Sequence, residues 1–433
     1  MKNHHFTACK DYYYSFFLFV SIFMFLQSSF AGDKNYLQKP DSLFNSYKGI
    51  VTDINSHDKL SFCQLTVEST NTSTVTNSEG EFLLKVPKTD TNSMLVITFL
   101  GYGSKKIALS TLKPEGNRIE LKPLPYLLPE IEVISKDPAW VVRKMLDNRN
   151  KNYSDKDMIM NAFYRETIRK RNTNVSLSEA IVEVYKQSYS NMKSDMAALY
   201  KSRKSTDYSK LDTLVFKLMG GPFNSLYLDV MKYPNFVFTD DIFSSYTFKF
   251  AKTDRIDDRL IYIIHFEQFK TILEPLFYGN LYIDAQSYAL VRAEFDMNLS
   301  DNEEATKLFI RKKPYNARVN TTKAHYQIDY KLNDDKWYYA YSRVDLNMKI
   351  IWKKKLFNTY YNSTIEMAAT DWFDDVDKKG FKAKEKINSN IVIQDAVSGF
   401  SDAAFWGEYN IIEPDKSINN AIHKIQKRLK KEL

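Results

Sequence analysis

Between Asn161 and Val376 the chain returns repeatedly to one pattern: runs of aromatic and β-branched residues, broken by short polar stretches, that fit strands and do not fit helices. "NAFYRETIRK", "SYTFKFAKT", "RLIYIIHFEQ", "GNLYIDAQSYALVRAEFDMN", "AHYQIDYKLNDDKWYYAYSRVDLNMKI" and "YYNSTIEMAATDWF" all carry it, and polar turns such as Asn333-Asp334-Asp335 make neighbours antiparallel. The composition agrees, with 29 Tyr and 29 Phe against 12 Gly and 12 Pro. Runs such as "RLIYIIHFEQ" hold large residues at nearly every position, so both faces of the sheet need cover. The region is predicted to be one curved antiparallel sheet with a cavity on its concave face, partly covered by helices from either side.

A second pattern precedes it. "YKGIVTDI", "LSFCQLTVES", "GEFLLKVP", "SMLVITFLGY", "KKIALS" and "RIELKPL" are short strands at close spacing, as in a β-sandwich. In "VTNSEGEFLLKVP", Val75 to Pro87, alternation puts Phe82, Leu84 and Val86 on a buried face and Leu83 and Lys85 on the other. Asn77-Ser78-Glu79-Gly80 is a tight-turn signal with Gly80 at positive φ, so the stretch is predicted to be a hairpin. The order Gly49-Ile50-Val51-Thr52-Asp53, then Thr76 to Phe82, then Phe99-Leu100-Gly101-Tyr102 resembles the carboxypeptidase regulatory-like domain, a transthyretin-like (prealbumin-like) sandwich. It departs from that pattern at Asn77, where the family usually has Asp, and at Leu60-Ser61, where it often has Pro-Leu. The resemblance implies that Gly49, Asp53, Gly80, Phe82, Gly101 and Tyr102 are fold-motif residues, structural and not catalytic.

The whole chain is thus expected to be mainly β: a sandwich over residues 45–123, then a larger curved antiparallel sheet with a few helices. "LKPLPYLLPEIEVIS" supplies a Pro-rich linker, residues 124–136. The β-rich region, 137–415, opens with a helix capped by Asp137 and started by Pro138, its apolar face made by Val141, Val142, Met145 and Leu146. Gly279 to Asp284, a turn, and Tyr288 to Arg292 resemble the strand-turn-strand unit of the lipoprotein-carrier half-barrel, which implies a curved sheet cupping an apolar cavity. The arrangement looks like envelope proteins of the Bacteroidetes type that pair these two modules. Residues 416–433 read as a basic amphipathic helix, with Ile418, Ala421, Ile422, Ile425 and Leu429 at helical spacing and Lys424, Lys427, Arg428, Lys430 and Lys431 mostly on other faces. Such a helix either packs on the sheet or makes peripheral contact with an anionic membrane surface.

Residues 1–31 have the order of an export signal: Lys2 and Lys10, an apolar run from Tyr12 to Leu26 interrupted only by Ser15 and Ser21, and Ser29-Phe30-Ala31. A retained anchor is the competing reading, although the run is shorter than the roughly 20 residues a spanning helix needs. Cys9 lies in that segment, so the mature chain keeps only Cys63, which forms no internal disulfide and is expected to be a small buried residue within a strand. Export without disulfides points to an extracytoplasmic place in a Gram-negative envelope, periplasmic or outer-membrane associated. The net charge of +8 comes from 61 basic and 53 acidic residues of both signs throughout, which is unlike a nucleic-acid binder.

Catalytic constellations are missing from the sequence. None of His4, His5, His57, His265, His325 and His423 is followed three residues on by Glu, so the zinc carboxypeptidase ligand set is absent. His265-Phe266-Glu267 lacks the cysteines a deaminase needs, and Ser190-Asn191-Met192-Lys193 lacks the partner motifs of a Ser-x-x-Lys enzyme. Asp371, Asp374, Asp375 and Asp377 fail the calcium-loop spacing because Lys379 and Lys386 stand at ligand positions. Asp240-Asp241 and Asp257-Asp258 read as turns. No cofactor is expected. The reading is an exported, non-enzymatic envelope protein whose sandwich is an accessory or docking module and whose β-rich region binds a lipid-like ligand or an envelope protein. The alternative is an extracytoplasmic hydrolase using carboxylates dispersed over the sheet.

Overall fold

The sandwich strands follow the hydrophobic alternation. In a computed structural model of the chain, which describes residues 43–432 apart from 69, 126–136, 207–219, 239–240, 311–312, 314, 354–355, 375–385, 398 and 400–402, residues Phe44–Leu433 form one compact unit. Residues 1–31, read as an export signal, and most of the stretch 124–136, read as a Pro-rich linker, lie outside the described residues. Strands β1 (Phe44–Asp53), β4 (Glu81–Pro87) and β7 (Asn117–Leu121) make a three-stranded sheet ordered β4-β1-β7. Strands β2 (Gln64–Val67), β3 (Ser73–Val75), β5 (Met94–Thr98) and β6 (Lys105–Ala108) make a second, ordered β3-β2-β5-β6. Val51, Leu65, Val67, Phe82, Leu84, Val86, Leu95 and Ile97 interlock between them as a core. Cys63 is buried there too, just before β2 and not within a strand as expected.

The stretch Val75 to Pro87 differs from its expected form in two ways. The turn exists, with the Gly80 N–H donating to Asn77 O and Gly80 at φ +72°. The strands flanking it, β3 and β4, belong to different sheets, so the turn is a crossover between layers and not a hairpin. Nor does β4 have a wet face. Leu83 packs with Trp406, Ile411 and Ile412, Lys85 Nζ donates to Gly407 O, and Asn410 bonds both Lys85 N and Lys85 O. A later segment, which periodicity cannot see, covers the side that alternation assigned to water.

The aromatic region forms one sheet of ten strands, each antiparallel to its neighbours. The strands are β8 (Met158–Lys170), β9 (Thr173–Lys186), β10 (Met196–Thr206), β11 (Tyr246–Ile256), β12 (Arg259–Gln268), β13 (Phe277–Asp284), β14 (Leu290–Met297), β15 (Ala317–Asn333), β16 (Lys336–Trp352) and β17 (Thr359–Asp374). Their spatial order, β10-β9-β8-β17-β16-β15-β14-β13-β12-β11, pairs the first and last strands of the region, β8 and β17, inside the sheet.

Both faces of this sheet are covered, by different material. One face packs against helix α1 (Pro138–Asp147), which buries Val141, Val142 and Met145, and against the segment around helices α2 (Pro222–Leu226) and α3 (Pro234–Val237). Asp137 caps α1 by accepting the Ala139 N–H, and Asn148 and Asn152 tie its end to Ser287 O. Helix α4 (Asn302–Lys307) packs on β15. The other face carries the sandwich, residues 403–412, and helix α5 (Lys416–Glu432), whose Ile418 and Ile422 pack on Leu177. On α5 the apolar positions Ile418 and Ile422 are therefore occupied by the sheet, and the exposed Lys424 and Lys427 are what it presents to solvent.

Candidate functional site

Strand β15 shows how one sequence serves two environments. Tyr326, Ile328 and Tyr330 point to the helical face, where the Tyr330 hydroxyl donates to Asp229 at 2.9 Å. The alternate residues Gln327, Asp329, Lys331 and Asn333 point to the sandwich: Lys331 Nζ donates to Ser73 Oγ at 3.0 Å and Asn333 Nδ2 to Asn71 Oδ1 at 3.3 Å. Facing them is the outer side of β2 and β5, with Gln64, Thr66, Val96 and Thr98. The two sheets enclose a cleft of about 850 Å³. Phe62, Phe99, Leu100 and Trp337 supply apolar wall, and both signs of charge line it, Lys106, Arg259, Arg292 and Lys331 with Glu68, Asp257, Asp329, Asp334 and Asp374.

Contacts on two sides hold the cleft open. Ser104 donates through both its N–H and its Oγ to the Asp257 carboxylate, each at 2.6 Å, and the Gly101 N–H donates to Arg255 O at 2.8 Å. Across the cleft Asn71 Nδ2 donates to Trp372 O at 2.6 Å and Ser73 Oγ to Ala369 O at 3.0 Å. The Phe62 and Tyr341 rings stack with centroids 5.2 Å apart, and the Arg343 guanidinium lies 5.2 Å over Phe62.

Three buried charged clusters surround this region, and two of them are closed. Glu179 lies between Arg165 Nε at 2.8 Å and Arg203 Nη2 at 2.6 Å, while Arg165 Nη2 also donates to Ile412 O. Burial would push the Glu179 carboxyl up, but the two guanidiniums outweigh it and hold it below the usual range. On the helical face Lys186 Nζ meets Asp195 at 2.6 Å and Asp229 at 2.7 Å, and Tyr189 and Tyr330 complete Asp229. Burial disfavours the Lys186 ammonium, yet these two carboxylates keep it above its ordinary value. In both clusters the charges are paired and hydrogen-bonded, which is how buried ions are tolerated. They lock segments onto the sheet.

Lys331 is different. It is buried, and among the described residues no carboxylate lies within ion-pair distance of it; its hydrogen bond is to the neutral Ser73 Oγ. Burial pushes the amine down to about 8, against a weaker upward pull from Asp371. Nearby Arg292 is paired with Asp329, and Gln327 Nε2 donates to the other Asp329 oxygen at 2.6 Å. The cleft therefore presents an under-compensated cation beside apolar surface, which suits an anion carrying an apolar body.

The motif residues gather in the sandwich, outside the cleft floor. Tyr102 Oη donates to Asp53 Oδ2 at 2.8 Å, and Asp53 Oδ1 accepts the N–H groups of Asn55 and Ser56. Those bonds, the Ser56 N–H foremost, hold the Asp53 carboxyl below its usual range. Gly49 is required by close approach: a Cβ there would stand 2.5 Å from Asn117 O and 2.7 Å from Phe82 Cζ. Gly101 abuts the cleft through its bond to Arg255. Burial pushes the Cys63 thiol up, away from reactivity. His265 sits in β12 with Nδ1 3.2 Å from Asn280 Oδ1. Ser190 and Lys193 lie in an exposed loop, where Ser190 Oγ contacts Ser188 Oγ. Asp257 and Asp258 form the β11–β12 turn, and Asp241 accepts from Ser244. Asp371 and Asp374 close β17, while Asp240, Asp375 and Asp377 lie outside the described residues. Among the described residues no group of three His, Cys, Asp or Glu side chains is placed to hold a metal ion, and no helix is long and apolar enough to cross a membrane. Sequence reading passed over Lys331, Asp329 and Arg292; the signal for them was a polar stripe at alternate positions of β15, which looks like a wet face until the sandwich is seated on it.

Comparison with curated protein sequences finds no match. Among solved structures, a LolA superfamily protein from Nitrosomonas europaea aligns with 58% of this chain and 99% of its own at 9% identity and a TM-score of 0.25. A DUF1329 family protein from Desulfovibrio piger aligns with 57% of this chain and 96% of its own, at 12% identity and a TM-score of 0.23. A putative membrane-associated protein of unknown function from Bacteroides fragilis aligns with 77% of this chain and 100% of its own, at 10% identity and 0.15. Similarities at this level transfer no ligand or activity. The family model described as the CarboxypepD_reg-like domain matches residues 47–133, the span that holds Gly49, Asp53, Gly80, Phe82, Gly101 and Tyr102.

Proposed function

We propose that this is an extracytoplasmic, non-enzymatic binding protein in which the cleft between sandwich and sheet takes an amphipathic organic anion. The observation that carries the reading is Lys331, a buried amine without a carboxylate partner among the described residues, opening on a cleft of about 850 Å³, a volume within the usual range for small-molecule sites. The ligand's anionic group bonds Lys331 Nζ and its apolar part lies along Phe62, Phe99 and Leu100. A hydrolase reading needs convergent carboxylates free to act; in the cleft Asp329 is engaged by Arg292 and Gln327, Asp257 by Ser104 and Glu68 by Lys106, and Asp334 and Asp374 are exposed. The sandwich serves as one wall of the site and not as a detached accessory. Export is supported by the charge, apolar and small-residue order of residues 1–31.

The test is a fluorescence titration with dansyl-undecanoic acid. Saturable binding is expected for the chain beginning at Gly32, weakened about tenfold or more in Lys331→Met, because a hydrogen bond to a charged group is worth about 1.5–3 kcal/mol. Equal binding by both proteins contradicts the assignment.

A further inference from the structure

A lysine is an ion when protonated and a nucleophile when it is not, and its surroundings decide between the two. Lys186 is held charged by Asp195 and Asp229. Lys85, Lys232 and Lys331 make no ion pair among the described residues, and burial pushes each amine down to about 8. At pH 7 about a tenth of such an amine is neutral, against roughly one part in three thousand for an amine at 10.5. Their positions separate the three. Lys85 Nζ is fastened to Gly407 O at 2.5 Å, and Lys232 Nζ to Ser188 O at 2.6 Å and Asn191 O at 2.9 Å; neither lines the cleft. Lys331 does. The other lysine of the cleft, Lys106, is exposed and paired with Glu68 at 2.7 Å.

The hydrogen bonding at Lys331 leaves a neutral amine its electron pair. Ser73 has one hydroxyl proton, and it is donated to Ala369 O at 3.0 Å. Towards Lys331 the same oxygen therefore accepts, 3.0 Å from Nζ. An amine held in this way spends one N–H on Ser73 and keeps its lone pair, with the nitrogen fixed at the cleft wall. Phe62, Phe99 and Leu100 line the same space. An amine desolvated beside apolar surface is the form in which lysine attacks a carbonyl carbon.

We propose that Lys331 captures apolar aldehydes covalently, as an imine on its Nζ. The inference rests on the cleft being the ligand site and adds a reaction there. The Nζ lone pair forms a bond to the carbonyl carbon as the C=O π pair moves to oxygen; nitrogen gives up a proton through the solvent of the open cleft and oxygen takes one up, which makes a carbinolamine. Loss of the second nitrogen proton and of hydroxide, together one water, then forms C=N. No oxidant or reductant is consumed, and addition of water reverses the step. The product is neutral where the ammonium was charged, so the reaction removes a buried charge that Asp371 offsets weakly. The aldehyde's apolar chain lies along Phe62, Phe99 and Leu100.

Reductive trapping tests the proposal on the chain beginning at Gly32, which keeps the whole unit from Phe44. Equimolar decanal and cyanoborohydride at pH 7 convert any imine to a secondary amine, and digestion with mass spectrometry reads each lysine separately. The chain's own α-amine is the internal reference, because an exposed terminal amine has an ordinary value of about 7.7–8.0 and so matches Lys331 in basicity without a cleft beside it. Decyl label at Lys331 is expected to exceed that on the α-amine, on Lys85 and on Lys232 by about tenfold, since the cleft holds the chain against the nitrogen. Acetaldehyde, which has no chain to hold, is expected to show no such excess. Decyl label at Lys331 no greater than on the α-amine, or an equal excess with acetaldehyde, overturns the proposal. The two readings fail separately. Dansyl-undecanoic acid binding that Lys331→Met weakens, without excess label at Lys331, keeps the anion site and removes the imine; excess label together with acid binding that the substitution leaves unchanged removes the anion contact and keeps the imine.

Discussion

Replacing Lys331 by Met separates a binding residue from a structural one, because the two roles predict opposite signs for stability. Burial lowers the amine from its ordinary 10.5 to about 8, so the protonated form is disfavoured in the folded protein. At 1.36 kcal/mol per pH unit, that difference is a penalty of about 3 kcal/mol at pH 7. The hydrogen bond to Ser73 Oγ returns about 1 kcal/mol of it, and Ser73 keeps its own bond to Ala369 O when Lys331 is gone. Methionine fills similar volume without a charge, so Lys331→Met should be more stable than wild type by about 2 kcal/mol at pH 7. The sign with pH follows from a folded value below the unfolded one. The penalty is complete below about 8 and fades as pH rises towards 10.5, so the two proteins should converge near pH 10. Urea unfolding followed by tryptophan fluorescence at both pH values reads this directly. A variant less stable than wild type at pH 7, or a difference that does not shrink at pH 10, refutes the reasoning and makes Lys331 a structural residue.

Two further outcomes concern the frame. Glu179→Gln leaves the Arg165 and Arg203 guanidiniums without their buried counter-charge and should lower stability by about 3 kcal/mol at pH 7; the Glu179 carboxyl is held low in the fold, so its contribution is present above the unfolded value and is lost as pH falls through the folded one, and the wild-type and variant urea midpoints should draw together in acid. A variant midpoint equal to wild type at pH 7 shows that the cluster is not what holds residues 403–412 to the sheet. Gly80→Val places a β-branched side chain at φ +72° with its Cβ 2.8 Å from Val51 O, which should cost about 1–3 kcal/mol of stability, and an unchanged melting temperature counts against it.

The aromatic strands were legible because tyrosine and phenylalanine at period two leave little else for a chain to do. The ten-stranded sheet contains the runs read from sequence, and α1 begins where Asp137 and Pro138 said it would. Strands β9 and β10 were not read, since β9 buries Ser176, Ser178 and Glu179 and β10 alternates with Lys201, Arg203 and Lys204, so their polar faces imitate loops. The same blindness affected Leu83 and Lys85 on β4 and Asp329 and Lys331 on β15. Alternation reports only that two faces differ; whether the polar one meets water, a buried guanidinium or a second domain depends on contacts hundreds of residues apart, such as Lys331 with Ser73. The candidate site was invisible for that reason, being made where two modules meet and not by a local motif.

The central claim is that ligand occupies the space between sandwich and sheet. Photo-crosslinking with a fatty acid carrying a mid-chain diazirine, followed by digestion and mass spectrometry, tests it most directly. The account predicts label on peptides holding Phe62, Phe99–Leu100 and Trp337, competed by unlabelled fatty acid and lost in Lys331→Met. Label concentrated instead on the 222–237 segment of the helical face, and undiminished by the substitution, would contradict it.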